Sequence, residues 1–285
     1  MLVIITEVSE LRALINNAKA KNKSIGFVPT MGALHDGHVS LARKCKRESD
    51  LSIVSIFVNP TQFNDKTDLK KYPRNLEADS YLLINAKIDC IFAPSVEEMY
   101  PNGMSVGTDI DLGGLDMYME GAFRPGHFKG MAQVVKRLLD IVTPDRLYMG
   151  QKDFQQFTIV NYFIKNLDIK TELVICKIIR EQNGLARSSR NERLSPETRA
   201  KAGIIYQTLK SVKRKSKNRS ISYLETSAMD ALNYQPFLPE YFTIVDGTTL
   251  LPVENMDNHS YVVACTAVWA DGVRLIDNHI LKGGK

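Results

Sequence analysis

The sequence is short of cysteine and almost without tryptophan, with four of the first and one of the second in 285 residues. Cys45, Cys90, Cys176 and Cys265 are widely spaced and no Cys-x-x-Cys occurs. That argues against a disulfide framework or a cysteine zinc site and predicts free thiols in a reducing compartment. No apolar run approaches the about 18 residues that a membrane helix needs. The opening MLVIITEVSELRALI carries neither a basic leader nor a small-residue cleavage site, so a cytoplasmic protein without membrane association is expected. Internal repeats and low-complexity segments are absent. Charge of one sign is not in large excess either: the net +5 suits an anionic small molecule and is far from a nucleic-acid-binding balance. What remains, 44% hydrophobic and 24% charged residues, is the make-up of an ordinary globular protein, long enough to bury a large core and to divide into two domains.

Short continuous apolar runs alternate with helical patterns over the first part of the chain. Residues 2–5, Ile25–Val28, Leu51–Val58, Ile88–Ala93, Leu147–Met149 and Leu173–Ile179 read as strands. Between them, Val8, Leu11, Leu14, Ile15 and Ala18 share one helix face behind a cap at Thr6 or Ser9, and Asn75 can cap a second helix. Further helices are predicted over His127–Val142 and Phe154–Ile164. This alternation predicts an α/β fold: a Rossmann-like doubly wound parallel sheet with its ligand site at the strands' carboxyl ends. Character changes near Arg180. Ser195-Pro196-Glu197 starts a helix expected to reach Val212. Strands are expected at Glu240–Val245, Ser260–Trp269 and Val273–Ile276, the last two joined by an Ala270-Asp271-Gly272 hairpin turn. Residues 1–178 are therefore assigned to the Rossmann-like domain and 179–285 to a second, smaller α+β domain. Lys210, Lys213, Arg214, Lys215, Lys217 and Arg219 form a basic cluster lacking interleaved aromatics, better read as a solvated helix end than as an RNA patch.

The chain is organised around Ser24–Leu41, SIGFVPTMGALHDGHVSL. An apolar strand stops at Pro29, an irregular Gly-containing loop follows, and a helical pattern opens at Gly37. His35 and His38 therefore sit at a helix N-terminus, where unpaired N–H groups and the helix dipole attract phosphate. A zinc pair would need further ligands, and only Cys45 is near in sequence; helix capping by the two rings is the other alternative. The phosphate reading is preferred.

Other constellations follow strand ends. SIFVNPTQF places Asn59 and Gln62; Asn59 can simply cap the Asn-Pro-Thr turn, whereas Gln62 offers donors and an acceptor to a substrate with a hydroxyl and a carboxylate. In GAFRPGHFKGMAQVV, Arg124 and His127 can bind an anion or serve the loop-to-helix turn, with nothing to choose between them. GQKDFQQF puts Lys152 at a helix N-terminus, within reach of phosphates, and Asp153 where it can cap the helix or hold a ribose hydroxyl; a surface salt bridge is the alternative. REQNGLARSSRNERLS turns at Asn183-Gly184 and continues as the polar loop Ser188–Arg190, which by itself could be an Arg-rich linker.

PTMGALHDGH resembles the His-x-Gly-His signature of the nucleotidylyltransferase superfamily, shared with class I aminoacyl-tRNA synthetases. In this ten-residue form it resembles the pantoate–β-alanine ligase family. The likeness extends through Tyr72-Pro73-Arg74, through GAFRPGHFKG, through Gly-x-Lys-Asp at Gly150–Asp153, and through Ser188-Ser189-Arg190, which resembles the superfamily's Lys-Met-Ser-Lys-Ser loop. It covers the chain to about Ser195. By this resemblance ATP is bound by Met31, Gly32, Ala33, Leu34, His35, Asp36, Gly37 and His38, by Gly150, Gln151, Lys152 and Asp153, and by Ile179, Arg187, Ser188, Ser189 and Arg190. Gln62 and Gln156 fall on pantoate-binding positions and Gln62 also on the β-alanine position. His38, His35, Lys152 and Arg190 are the expected catalytic residues. Arg187 departs from the usual Met or Leu; its main chain is expected to serve the nucleotide and its guanidinium to point to solvent.

The implied reaction is ATP-dependent condensation of (R)-pantoate with β-alanine through a pantoyl adenylate, giving pantothenate, AMP and pyrophosphate. Mg²⁺ is the expected companion of the triphosphate, with no protein ligand named. Partners are the small-molecule substrates, without nucleic acid or membrane, and a homodimer is implied. Two rivals stand beside this reading. A nucleotidylyltransferase stopping at a stable nucleotidyl product is opposed by the glutamines Gln62 and Gln156. An RNA-binding relative using the basic cluster is opposed by the intact phosphate constellation.

Overall fold

A computed structural model describes residues 2–63, 69, 70, 72–104 and 110–284. The chain divides into two compact units. The first comprises Met1–Asp116, Gly121–Gly150 and Ile159–Cys176, and the second Met117–Glu120, Gln151–Thr158 and Lys177–Lys285. Among the described residues no helix is long and apolar enough to cross a membrane.

Strands that are apolar on both faces must be covered on both faces, and the first unit is built that way. Its strands are β1 (Val3–Ile5), β2 (Ile25–Thr30), β3 (Leu51–Ile56), β4 (Cys90–Phe92), β5 (Arg146–Gly150) and β6 (Glu172–Cys176). They form one parallel sheet in the order β1-β4-β3-β2-β5-β6. β2 pairs with β3 from Ile25 opposite Leu51 to Thr30 opposite Ile56, and with β5 through Gly26 and Phe27. Strand order runs from β2 through β3 to β4 on one side and through β5 to β6 on the other. The carboxyl ends of β2 and β5 therefore flank the switch point at which doubly wound sheets bind ligands.

Helices α1 (Val8–Ala20), α2 (Asp36–Glu48), α3 (Leu76–Asn85) and α4 (His127–Val142) belong to this unit. Helix α5 (Phe154–Asn166) follows β5, its residues Phe154–Thr158 grouping with the second unit. Val28, Val39, Ala42, Val54, Leu83 and Ile91 interlock β2–β4 with α2 and α3 in one apolar cluster. The expected capping of α1 by Thr6 or Ser9 is not what the structure has. Glu7 stands at the cap without a side-chain bond, and the carboxylate of Glu98 accepts from Val8 N at 2.6 Å. A distant acceptor has replaced the local one. Asn75 does cap α3, accepting from Ala78 N at 3.0 Å.

The second unit has its own core and an antiparallel sheet, β7 (Leu238–Asp246), β8 (Val262–Ala270) and β9 (Val273–Lys282). The β8–β9 turn uses positive φ at Asp271 and Gly272, as a tight hairpin requires. β9 runs six residues beyond the expected Ile276, to Lys282, because it pairs along the whole of β8. The helix expected from Ser195 to Val212 is two helices, α6 (Pro196–Lys201) and α7 (Ile204–Lys215). Asn183 Nδ2 donates to the carbonyls of Arg199 and Ala200, at 2.7 and 3.1 Å, and draws these acceptors away from the helical ladder. Lys213, Arg214 and Lys215 occupy the last turn of α7, where cations complement the helix dipole. Helix α8 (Ile221–Leu232), capped by Ser220, buries Leu224, Ala228 and Leu232.

Gly130, inside α4, yields a stability prediction. A Cβ there would lie 2.3 Å from the carbonyl oxygen of Thr61 and 2.9 Å from Gln62 Cα. Helix propensity alone favours Ala over Gly by about 1 kcal/mol, but this neighbour is backbone and cannot swing away. Overpacking costs about 1–3 kcal/mol, so Gly130→Ala should lower the urea midpoint of unfolding. An unchanged or raised midpoint would contradict so close an approach of α4 to the Pro60–Gln62 turn.

Candidate active site

The chain leaves β2 at Thr30, whose hydroxyl donates to Ser55 O at 2.6 Å and accepts from Gly32 N at 3.2 Å. Gly32 and Ala33 then adopt φ of 78° and 50°, a left-handed course that costs an L-residue such as Ala33 on the order of 1–2 kcal/mol. What holds it is Asp79, on α3. Its carboxylate accepts from Ala33 N at 3.0 Å and Leu34 N at 2.7 Å. The residue is only 3% exposed. Burial pushes its carboxyl above the ordinary range, although the two N–H bonds act the other way.

The loop ends at His35, which is the N-cap of α2: its Nδ1 accepts from Gly37 N at 3.1 Å. The helix-capping alternative thus describes His35 correctly, yet it does not compete with an anion role. A neutral ring accepting at Nδ1 carries its proton on Nε2. The His38 ring lies beside it, with centroids 4.1 Å apart and a tilt of 32°. Met31 through His38 therefore occupy one strand-to-helix turn at the switch point.

The turn after β3 contributes Asn59 and Gln62. Asn59 serves structure: its Nδ2 donates to Gly130 O at 3.0 Å and to Thr61 Oγ1 at 2.9 Å, and its Oδ1 accepts from Tyr100 Oη at 2.9 Å. Gln62, 8% exposed, points at the histidine loop, with Nε2 2.7 Å from Met31 Sδ. Sulfur is a weak acceptor, so a substrate oxygen would be a better partner for this donor. Arg124 and His127 are joined to each other, and His127 has a structural role. Arg124 Nη1 lies 3.1 Å from His127 Nε2, and His127 Nδ1 lies 2.9 Å from Gln62 O. A guanidinium only donates, so Nε2 accepts and Nδ1–H donates to the Gln62 carbonyl. His127 holds the backbone of Gln62 in place.

Apart from Gly150, which ends β5 in the first unit, the remaining candidates lie in the second unit. Lys152 and Asp153 directly precede α5 and form a loose ion pair, 3.6 Å apart. Gln156 is half-buried in the first turn of α5, beside Gln155, which donates to Tyr118 O at 2.8 Å. Residues 179–187 form a hairpin tipped by Asn183-Gly184: Arg187 N donates to Ile179 O at 2.9 Å, and Glu181 N to Leu185 O at 2.8 Å. Ser188 Oγ then accepts from Arg190 N at 3.3 Å and caps a single 3₁₀ turn, Ser189–Arg193. The solvent-pointing guanidinium expected of Arg187 is corrected here. Arg187 Nη1 donates to Glu181 Oε1 at 3.2 Å, and Arg199 and Asn191 bond the same carboxylate. Burial works against the Glu181 charge, but these partners bring its pKa below the ordinary range. A shared acidic anchor, invisible in the motif, ties Arg187 down.

The residues missed in the sequence are Asp79, Glu181, Asp277 and Asn278. Asp79, Asp277 and Asn278 belong to no motif, and an isolated acidic or amide residue on a helix or strand reads as solvated surface; Glu181 lies within REQNGLARSSRNERLS, but nothing in that stretch singles it out. Among the described residues no group of three or more His, Cys, Asp or Glu converges as a metal-binding set.

A doubly wound parallel sheet with an anion-ready helix entry at its switch point defines a nucleotide-binding α/β protein. The model of the Pantoate-beta-alanine ligase family matches residues 3–280, and the chain belongs to that family. It is 47% identical over 276 residues to pantothenate synthetase of Bacteroides thetaiotaomicron, covering 96% of this chain and 97% of that one. Among solved structures, a pantothenate synthetase of Thermus thermophilus matches with TM-score 0.91 and 40% identity over 99% of this chain and 100% of that one. A pantoate-beta-alanine ligase of Francisella tularensis, complexed with beta-gamma ATP and beta-alanine, matches with TM-score 0.80 and 34% identity over 100% and 99% of the two chains.

The geometry of the β2–α2 turn predicts that Asp79→Ala leaves the amides of Ala33 and Leu34 without their acceptor. Stranding buried donors costs about 1–3 kcal/mol. Amide hydrogen exchange should show these two protons losing protection well before the flanking strands do. Unchanged protection at both would mean that the loop is held by something other than Asp79.

Proposed function

We propose that the two residue sets described above serve one reaction, the condensation of (R)-pantoate with β-alanine at the expense of ATP, which is the activity of the family. The observation that carries the reading is Gln62. Its carboxamide is aimed at Met31, in the turn that leads to the paired histidines, and the backbone that carries it is held by His127. That arrangement suits a small polyol acid beside a phosphate site, which a nucleotidylyltransferase without an acid substrate would not need.

The pantoate carboxylate attacks the α-phosphorus, one carboxylate oxygen forms the new P–O bond, and pyrophosphate leaves. The β-alanine amine then attacks the acyl carbon and AMP departs with the bridging oxygen, while a proton is lost from nitrogen. No protein nucleophile is required. The thiols support this: all four cysteines are free and buried, and burial pushes Cys45 and Cys90 up to about 12, leaving no thiolate at neutral pH. The protein's contribution is positioning and stabilisation of phosphate charge.

In this reading His35 and His38, with the first N–H groups of α2, bind triphosphate oxygens. Met31–Leu34, Asp36 and Gly37 shape the nucleotide side of that turn. Gln62 and Gln156 hold pantoate, and Gln62 later holds β-alanine. Gly150–Asp153 supply the Lys152 charge and a ribose contact at Asp153. Ser188, Ser189 and Arg190 bind departing pyrophosphate, and the backbone at Ile179 and Arg187 receives adenine. Mg²⁺ enters as MgATP and keeps most of its waters; no protein ligand is assigned to it. A homodimer follows from the family resemblance. A cytoplasmic location fits four reduced thiols.

The test is isotope exchange. ATP should exchange labelled pyrophosphate when pantoate is present and β-alanine absent, and His38→Ala should slow this by ~10²–10³, the usual effect of one charge-stabilising donor. Exchange that appears only with β-alanine would exclude a free-standing adenylate.

A further inference from the structure

Gln151, Lys152 and Asp153 form an irregular turn between β5 and α5, yet Lys152 must be held to within a fraction of an ångström to act on a phosphate. The support comes from β9. Asn278, 3% exposed, gives both amide hydrogens to consecutive carbonyls of the turn, those of Gln151 at 2.9 Å and Lys152 at 3.0 Å. Its Oδ1 accepts from Gln151 Nε2 at 3.0 Å. The Asn278 side chain thus clamps two consecutive residues, with both donors and its acceptor engaged.

The preceding residue of the same strand holds the other polar loop. Asp277 receives Arg180 in a bidentate pair, at 2.6 and 3.0 Å. The guanidinium also donates to Gly184 O at 3.0 Å and lies 3.6 Å from the centroid of the Tyr206 ring. Arg180 faces Ala186 across the hairpin that leads into Ser188–Arg190. Successive residues of a strand point to opposite faces, so β9 presents one hydrogen-bonding residue to each loop. Pairing with β8 along its length gives the strand the rigidity that a brace needs.

We infer that Asn278 is a positioning residue for Lys152, and that β9 braces the Lys152 turn through Asn278 and the Ser188–Arg190 hairpin through Asp277. The inference rests on the function proposed above, because it assumes that Lys152 acts on the phosphates of ATP. It also accounts for the grouping of Gln151–Thr158 with the carboxy-terminal unit: the turn is bonded to β9. Asn278 touches no substrate and acts through the backbone it holds.

Asn278→Ala in the full-length protein should lower the maximal rate of pantoate-dependent ATP–pyrophosphate exchange ~10–100-fold, the cost of a catalytic group displaced by about an ångström, with KM for pantoate changed less than about twofold. A merely structural residue would also reduce activity, so the decisive readout is a cycle with Lys152→Ala. If Asn278 acts through Lys152, removing the ammonium from the Asn278→Ala protein should cost far less than removing it from the parent. Losses that multiply would overturn the inference while leaving the function intact. A parent protein without pantoate-dependent exchange would overturn both. Should Asn278→Ala not fold, Asn278→Gln keeps the amide one methylene further out and carries the same cycle, with the same two results deciding.

Discussion

Two backbone N–H groups converge on one buried carboxylate, and the first unit's candidate site depends on that convergence. The left-handed course through Gly32 and Ala33 turns the end of β2 into the start of α2. Asp79 stabilises that course from α3 through Ala33 and Leu34. Burying the carboxylate is unfavourable, as its raised pKa records, and the two bonds it accepts offset the penalty. Ionisation of Asp79 is thus a small burden on the fold. The carboxyl binds its proton more readily folded than unfolded, so its own contribution to stability declines as pH rises through its titration range. A site that spends stability in this way fits the general finding that strain gathers where geometry serves chemistry.

The second unit repeats the same logic with different groups. Glu181 gathers Arg187, Arg199 and Asn191; Asp277 takes Arg180, and Asn278 takes the turn at Gln151 and Lys152. Irregular loops cannot satisfy all of their own carbonyls and N–H groups: Asn278 takes two such carbonyls from β9, while Asp277 and Glu181 hold the other loop through its side chains. In the proposed reaction those loops carry the charges, and the acidic and amide residues behind them keep the charges in place. The chemistry asks for no more, since the attacking groups belong to pantoate and β-alanine and the leaving groups to ATP.

Much of this is legible in the sequence where a local period changes. The handover from a continuous apolar run to helical spacing locates β2, α2 and the histidine pair. The His127–Val142 pattern predicts α4 to the residue. What is not legible depends on distance along the chain. Asp79 lies 46 residues from Ala33 and Asn278 lies 127 from Gln151, and neither carries a local signature of the contact it makes. The same holds for Glu98 at the start of α1, where the sequence points to a cap at Thr6 or Ser9, and for Asn183, which interrupts the helix expected after Ser195. Arg187 shows the limit from the other side. Its departure from the family pattern is visible, but its partner Glu181 is not.

The central claim, that this chain works by positioning a carboxylate against the α-phosphorus of ATP with no covalent intermediate on the protein, is tested most directly by following oxygen. Pantoate labelled with ¹⁸O in its carboxylate should yield AMP carrying one ¹⁸O and pantothenate retaining the other. Unlabelled AMP, with the heavy oxygen recovered in pyrophosphate or orthophosphate, would contradict attack at the α-phosphorus.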